Sequence, residues 1–211
     1  LGQLTAVSLI KREFRVLVVE RDILFKQDSR TLAVNANFWD FLIRLGLWDS
    51  LKKKSTPLQE IIIKDYINED QLIFQDPEES MGSVIFNKDL ISQTHLILSK
   101  SNSIIYNCNL PFELLEPHKI ITISKKKFRF KKIIVSVGKS SIAGSDFKKF
   151  SFSSYHNSYV GFINHSLKHQ HKAYEIFTKD GPLALLPAPS RFEKKSTFIF
   201  STSMNVTQAV I

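Results

Sequence analysis

The sequence has one cysteine, few glycines and no long hydrophobic run. Seven glycines among 211 residues, and the absence of Pro-rich or low-complexity tracts, leave no obvious flexible linker. The single Cys108 excludes an internal disulfide framework and is compatible with a reducing cytoplasm. No apolar run approaches the roughly 18 residues that a membrane-spanning helix needs, and no signal-peptide pattern is seen. These features favour a globular protein of one or two domains.

The composition is otherwise that of a globular protein with a strong basic charge. Apolar residues make up 43% of the chain, and the formal net charge is +9. Lysines cluster at 52–54, 125–127 and 131–132. Clustered positive charge is typical of proteins that bind nucleic acid or an anionic membrane surface. No recognition-helix pattern, zinc-ligand spacing or aromatic RNA-binding signature accompanies the lysines. We therefore predict no nucleic-acid partner and interpret the clusters as solvated lysines, with a weak preference for membrane surfaces left open.

The first twenty residues have the pattern of a dinucleotide-binding unit. A helix predicted over 3–12 precedes an apolar strand over 15–20 that ends in Glu20. Gly2 fits the third glycine of G-x-G-x-x-G, which lets the helix pack on the sheet, and Glu20 fits the acid that binds a ribose hydroxyl. We expect the first strand and the first two glycines of the motif to be missing. A generic amphipathic helix before a strand would show the same pattern, so both interpretations stay open here.

Periodicity divides the remaining chain into an α/β part and a β-rich part. A loop is predicted over 28–37, and then a helix that starts at a cap of Asn35 or Asn37 and stops at Gly46. A second helix is predicted over 89–99. Strands are predicted over 59–65, 71–75, 83–86, 103–107, 111–115, 119–124, 127–130, 132–137, 159–166, 171–178, 183–186 and 196–202.

Five passages in matching order and spacing resemble one family. The most specific is the run Gly181-Pro182-Leu183-Ala184-Leu185-Leu186-Pro187 with the preceding Ala173–Thr178. The others are Gly2–Leu9 with Val16–Arg21, then Asp28–Ala33, Leu45–Asp49, and Met81–Ile85 with Asn87 and Leu90. The chain resembles the class A flavoprotein monooxygenases, specifically the ubiquinone-biosynthesis hydroxylases that act on polyprenylated phenols. The resemblance covers the N-terminal part of such an enzyme.

The resemblance implies a fold, a reaction and cofactors. The fold is α/β and p-hydroxybenzoate-hydroxylase-like, with a truncated Rossmann-like FAD-binding domain over 1–150 and the start of a β-rich substrate domain over 151–211. The reaction is hydroxylation of the aromatic ring of a polyprenylated phenol, with FAD as cofactor and NAD(P)H and O2 as co-substrates. A cytoplasmic enzyme held peripherally at the inner membrane face, or in a complex of the ubiquinone pathway, fits so apolar a substrate.

The resemblance also implies which side chains contact the cofactor, while catalytic residues stay unassigned. Gly2 permits close approach of the pyrophosphate to a helix N-terminus, Glu20 accepts the ribose hydroxyls, and Arg30 offers a planar fork of donors to the flavin's phosphates or ring. The cofactor-binding set implied by the matching positions is Gly2, Glu20, Arg21, Arg30, Lys88 and Gly138. Gly181 and Pro182 are interpreted as turn residues.

Departures from the family pattern favour an alternative. Val137 stands where the family has the aspartate of an Ala-Asp-Gly motif, and Phe86 stands where it has an acid. The family's second flavin motif, a Gly-Asp pair, is expected beyond Ile211. The alternative is therefore a non-catalytic remnant that acts as a binding or assembly partner in the ubiquinone pathway.

Metal and cysteine chemistry are not predicted. Four histidines, His156, His165, His169 and His171, lie across a predicted strand–loop–strand without carboxylate or Cys partners at ligand spacing. Cys108 has no base beside it in the sequence that would activate a nucleophile. We therefore predict no metal site.

Overall fold

The structure is a computed structural model that describes residues 1–20, 29–76, 80–101, 104–107, 113–115, 120–123, 126–136, 156–189 and 192–203. The helices are α1 (Gly2–Ile10), α2 (Ala36–Arg44), α3 (Trp48–Lys52) and α4 (Asn87–Lys100). The strands are β1 (Leu17–Glu20), β2 (Thr31–Asn35), β3 (Thr56–Leu58), β4 (Glu60–Asp65), β5 (Gln71–Gln75), β6 (Gly82–Phe86), β7 (Ile104–Asn107), β8 (Glu113–Leu115), β9 (Ile120–Ile123), β10 (Lys126–Arg129), β11 (Asn157–Asn164), β12 (Lys172–Thr178), β13 (Gly181–Pro187) and β14 (Lys195–Thr202).

The chain forms two compact units, and each of them is discontinuous in sequence. Unit 1 comprises Leu1–Lys26 and Ile91–Phe150, and unit 2 comprises Gln27–Leu90 and Ser151–Ile211. The predicted boundary near residue 150 between cofactor and substrate domains stays a prediction. Strands β2 to β6 nevertheless belong to the same unit as β11 to β14.

Unit 1 contains a helix–turn–strand segment and two small sheets. Strand β1 pairs in parallel with β7, and β8, β9 and β10 form an antiparallel sheet. Helix α1 buries Leu4, Ala6 and Val7, and the Thr94 hydroxyl of α4 donates to Gln3 Oε1 at 2.7 Å. The predicted helix and strand at the start of the chain are thus confirmed, with bounds that differ from the predicted ones by at most two residues.

Unit 2 contains a six-stranded mixed sheet and a three-stranded antiparallel sheet. The strand orders are β11-β14-β13-β12-β4-β5 and β2-β6-β3. Within the large sheet, β12 pairs in parallel with β4, and the other pairs are antiparallel. Leu58, Val84 and Ala173 form a buried cluster that joins the two sheets.

Local signals place α2 as expected. The Asn35 side chain accepts the Phe38 N–H at 2.9 Å, which satisfies a donor that the first turn leaves unpaired. Gly46 follows the helix with a φ of 70°, a conformation that glycine adopts without strain. The predicted cap and stop are both confirmed.

Two sequence expectations are wrong. Residues 28–37 were expected to form a loop, but Thr31–Asn35 is a strand; its burial does not alternate, so only its pairing with β6 reveals it. A buried strand was expected over 132–137, but residues 132–136 join no sheet of the described chain, and Ile133, Ile134 and Val135 are exposed. Apolar β-branched residues favour extension, yet a strand also needs a neighbour.

None of the helices within the described ranges combines the length and apolar character required to traverse a bilayer.

We expect Gly181→Ala to destabilise the protein by about 3 kcal/mol, because Gly181 has a φ of 128° and an added Cβ would lie 2.0 Å from the Ser201 carbonyl oxygen. Lys179→Ala, an exposed substitution in the same turn, is the control and should change stability by less than about 0.5 kcal/mol. Urea denaturation followed by circular dichroism measures both. Equal midpoints for the two variants would contradict this account of the turn.

Candidate functional site

The start of α1 is an uncapped helix N-terminus. Leu1 occupies the cap position and makes no side-chain cap hydrogen bond, and the first turn carries no acidic residue. The first N–H groups of a helix lack partners within it, so this end presents donors and a positive dipole. A Cβ at Gly2 would lie 3.1 Å from Ser136 Cβ. The missing side chain therefore allows a close approach of the chain at Ser136 to the helix start.

Glu20 ends β1 and is half-buried, opposite Asn107 of β7. Between α1 and β1 the chain reverses through a turn in which Glu13 has a φ of 64° and the Phe14 N–H donates to the Leu9 carbonyl at 3.1 Å. Because of this reversal, the amino end of α1 and the carboxyl end of β1 lie at the same end of the segment. The predicted dinucleotide motif has the same order of helix start, turn and strand end, and the contacts of Gly2 and Glu20 with a cofactor stay a prediction.

Arg30 and Lys88 come together at one end of the small sheet of unit 2. The Asn87 N–H donates to the Arg30 carbonyl at 2.9 Å, just beyond the last residue pair of β2 and β6. Lys88 lies in the first turn of α4, with Nζ 4.9 Å from the centroid of the Phe86 ring. The nearest acid along the helix, Asp89, accepts a hydrogen bond from Lys54 Nζ at 2.9 Å. Two exposed cations therefore share a helix N-terminus.

The predicted cofactor-binding residues divide between the units. Gly2 and Glu20 belong to unit 1, whereas Arg30 and Lys88 belong to unit 2. Arg21 and Gly138 lie outside the described residues, as does Val137. The contacts of all six predicted residues with a cofactor stay predictions.

The Gly-Pro-Leu-Ala run forms the second strand of a tight hairpin. Gly181 pairs with Thr178, whose hydroxyl donates to the Gly181 carbonyl at 2.8 Å, so only two residues connect β12 and β13. The turn itself consists of Lys179 and Asp180, whereas Gly181 and Pro182, which were interpreted as turn residues, are the first two residues of β13.

Glu175 is a partly buried carboxyl group to which sequence analysis assigned no role. In the large sheet it lies between Ile63 of β4 and Ala184 of β13. Burial raises its pKa above the usual value for glutamate, because an apolar environment disfavours the charged form. The available signal was a lone acid between Tyr174 and Ile176, in the middle of a mostly apolar strand.

Three histidines are close together in the loop between β11 and β12. The His165 and His169 ring centroids are 6.5 Å apart, and those of His169 and His171 are 5.4 Å apart. His169 Nδ1 accepts the His171 backbone N–H at 3.0 Å, so the neutral ring carries its proton on Nε2. His165 Nε2 lies 3.0 Å from the Ser196 hydroxyl.

The surroundings of His169 favour its neutral imidazole. Burial, followed by the charges of His171 and His165, lowers the pKa of His169, while Glu193 acts in the opposite direction. His169 Nε2 and His171 Nδ1 are buried without a hydrogen-bond partner in the described chain. Within the described ranges, no group of three or more His, Cys, Asp or Glu side chains is arranged to hold a metal ion.

Comparisons with known proteins identify the fold. No protein-family model matches the sequence, and no curated protein matches it significantly. Among solved structures, a probable FAD-dependent monooxygenase from Pseudomonas aeruginosa, pqsL, matches 99% of this chain with a TM-score of 0.74 and 12% sequence identity. The tetrameric 2-methyl-3-hydroxypyridine-5-carboxylic acid oxygenase matches 97% with a TM-score of 0.73 and 11% identity. Klebsiella pneumoniae HpxO, complexed with FAD and uric acid, matches 96% with a TM-score of 0.71 and 13% identity.

These matches show similarity of fold, and they cover only part of each matched structure. The chain spans 59%, 56% and 54% of the length of those three structures, respectively. At such low identity the likeness establishes architecture, and the predicted α/β fold class is confirmed.

We expect the free energy of unfolding to fall as the pH drops below 6.5, the ordinary pKa of histidine, because burial lowers the pKa of His169 in the folded state. Below 6.5 the unfolded chain then binds more protons than the folded chain, so acid favours unfolding. His169→Asn removes the titration but keeps an acceptor for the His171 N–H, and should weaken the pH dependence. His95→Asn, on α4, is the control. Identical pH profiles for the wild type and His169→Asn would refute the expectation.

Proposed function

We propose that the chain belongs to an FAD-dependent monooxygenase that hydroxylates the aromatic ring of a polyprenylated phenol in ubiquinone biosynthesis, using NAD(P)H and O2. One observation carries the proposal: Gly2 and Glu20 lie at the same end of the α1–β1 segment in a chain whose fold matches FAD-dependent oxygenases. The prenylated phenol and the ubiquinone pathway rest on the sequence resemblance alone.

The residues at this end fit an adenine dinucleotide. The uncapped start of α1 offers backbone N–H groups and the positive end of the helix dipole to a pyrophosphate. An added Cβ at Gly2 would lie 3.1 Å from Ser136 Cβ, so a larger residue would crowd this helix start. Glu20, at the strand end, is a carboxylate acceptor for the two ribose hydroxyls.

Unit 2 carries two further residues that the resemblance assigns to the cofactor. Arg30 offers a planar fork of donors that suits phosphate oxygens or the flavin ring, and Lys88 adds a point charge at the start of α4.

In this proposal the cofactor and the protein have separate roles. FAD, when bound, supplies the chemistry that takes hydride from NAD(P)H and activates O2. The residues of this chain bind and orient the cofactor. The strongly apolar character of a prenylated substrate supports a cytoplasmic enzyme held peripherally at a membrane, with exposed lysines adding a modest attraction to anionic lipid.

A non-catalytic binding partner of the ubiquinone pathway is the second candidate. Phe86, at the end of β6, cannot accept the hydrogen bonds of the acid that it replaces, and its ring instead packs near Lys88 and Phe162. A stable complex with other ubiquinone-pathway proteins, together with no hydroxylation of a prenylated phenol in the presence of FAD, NAD(P)H and O2, would favour this candidate.

We expect the chain to bind FAD saturably but weakly, and Glu20→Gln to raise the Kd about tenfold, because a charged acceptor of the ribose hydroxyls is lost. Titration with quenching of flavin fluorescence as the signal measures this Kd. Glu13→Gln, an exposed substitution in the turn of the same unit, should leave the Kd unchanged.

Two outcomes would contradict the proposal. One is the absence of saturable flavin binding by the wild-type chain under conditions in which circular dichroism shows it folded. The other is an equal Kd for the wild type and Glu20→Gln, which would remove Glu20 from the site.

A further inference from the structure

Among the strands of the described ranges, β5 forms an edge of the six-stranded sheet. It pairs with β4 on one side and ends the strand order on the other. All five of its residues are exposed, including Leu72 at 61%, Ile73 at 50% and Phe74 at 47%. Natural edges are usually blocked by proline, lysine or a bulge. Residues 71–75 contain neither residue type, and the register with β4 runs unbroken over five pairs.

The backbone groups that face outward can be assigned from the pairing. The Asp65 N–H donates to the Asp70 carbonyl at 2.9 Å, which marks 65/70 as a hydrogen-bonded pair. Hydrogen-bonded pairs alternate along an antiparallel ladder, so Leu72 and Phe74 direct their N–H and C=O groups toward β4. Gln71, Ile73 and Gln75 direct theirs away from the sheet. A further strand would find three donors and three acceptors in register.

The hairpin β4–β5, residues 60–75, is held in place rather than frayed. The Tyr66 N–H donates to the Phe177 carbonyl of β12 at 2.9 Å. Asp65 accepts the Ile67 N–H at 2.8 Å and the Asn68 side-chain amide at 2.7 Å. These turn hydrogen bonds also lower the pKa of Asp65. An ordered edge loses little conformational entropy when a partner binds.

The surface around this edge is both apolar and acidic. Tyr66 and Ile67, at the tip of the hairpin, are 77% and 65% exposed and extend the apolar surface of β5. Four carboxylates and one lysine lie along residues 64–76, although the whole chain carries a net charge of +9. The acids are Asp65, Glu69, Asp70 and Asp76. An apolar strand edge between acidic ends favours a cationic partner.

We propose that β5 binds an extended segment of a partner protein as an added strand, and that this segment has alternating apolar residues flanked by lysine or arginine. Main-chain hydrogen bonds to Gln71, Ile73 and Gln75 supply affinity, and Leu72, Ile73 and Phe74 contact the alternate side chains of the segment. The acidic ends of the hairpin select the cationic flanks and fix the register.

Two other occupants fit less well. An anionic membrane surface meets like charge at Asp65, Glu69 and Asp70. A second copy of the chain, paired antiparallel about Ile73, places Asp70 opposite Asp76 of the other copy, and directly opposed like charges destabilise a strand pair.

The test uses a fluorescein-labelled peptide, Lys-Lys-Val-Thr-Ile-Thr-Val-Lys-Lys, whose binding to the whole chain is followed by fluorescence anisotropy. We expect saturable binding that weakens as the salt concentration rises. Leu72→Lys and Leu72→Glu form a matched pair that removes the same apolar side chain while leaving the outward backbone groups intact. The Kd of Leu72→Lys should exceed that of Leu72→Glu at least tenfold, because only the lysine repels the cationic segment.

A backbone variant tests the added strand itself. Ile73→Pro removes an outward N–H without breaking the ladder to β4, and we expect it to raise the Kd at least tenfold relative to Ile73→Val. Circular dichroism and urea midpoints show whether each variant is folded. If Ile73→Pro is unfolded, the comparison of Leu72→Lys with Leu72→Glu tests the proposal instead.

Each of four results would overturn the proposal. The first is the absence of saturable binding of the peptide, and the second is equal binding of a control peptide with glutamates in place of its lysines. The third is self-association that Leu72→Lys abolishes without any peptide binding, which would assign the edge to a second copy. The fourth is co-sedimentation with phosphatidylserine vesicles without peptide binding, which would assign it to a membrane.

Discussion

The parallel pairing of β4 with β12 is the constraint on which unit 2 depends. It joins Glu60–Asp65 to Lys172–Phe177, and the Lys172–Glu60 ion pair, at 2.9 Å, marks its first residue pair. A hydrogen bond from the Thr56 hydroxyl to the Ala188 carbonyl, at 2.9 Å, connects the neighbouring strands of the same two chain segments. Without this pairing the β4–β5 hairpin would be separate from the large sheet, and the buried cluster of Leu58, Val84 and Ala173 could not form.

Sequence reasoning succeeded where a local physical cause decides the structure. The Asn35 cap, the Gly46 stop and the two-residue turn before Gly181 each depend on side chains or backbone angles within a few residues. It failed where the structure depends on pairing with a strand that is distant in the sequence. Strand β2 exists because β6 pairs with it, and the apolar residues 132–136 join no sheet of the described chain despite their strand-like composition. The pairing of β4 with β12 has no local signal at all.

The candidate site also depends on both local and distant causes. The sequence predicted that Gly2 lies at the start of a helix and that Glu20 ends a strand, because both elements have local signals, while the roles of the two residues stay predictions. The closeness of Arg30 and Lys88 depends on the pairing of β2 with β6, which the sequence did not predict. Glu175 was overlooked because its raised pKa is a consequence of burial between strands, and burial is a property of the folded sheet.

The discontinuity of unit 2 also affects how the protein is made. Lys172 pairs with Glu60, more than a hundred residues earlier in the chain. At ordinary translation rates, β4 and β5 therefore leave the ribosome on the order of ten seconds before β12 is synthesised. During that interval Ile62, which is buried in the finished sheet, is in contact with water, and the strand is open to premature association. The large sheet of this unit consequently cannot be completed until β12 has been synthesised, and nascent chains without β12 expose strands that favour aggregation.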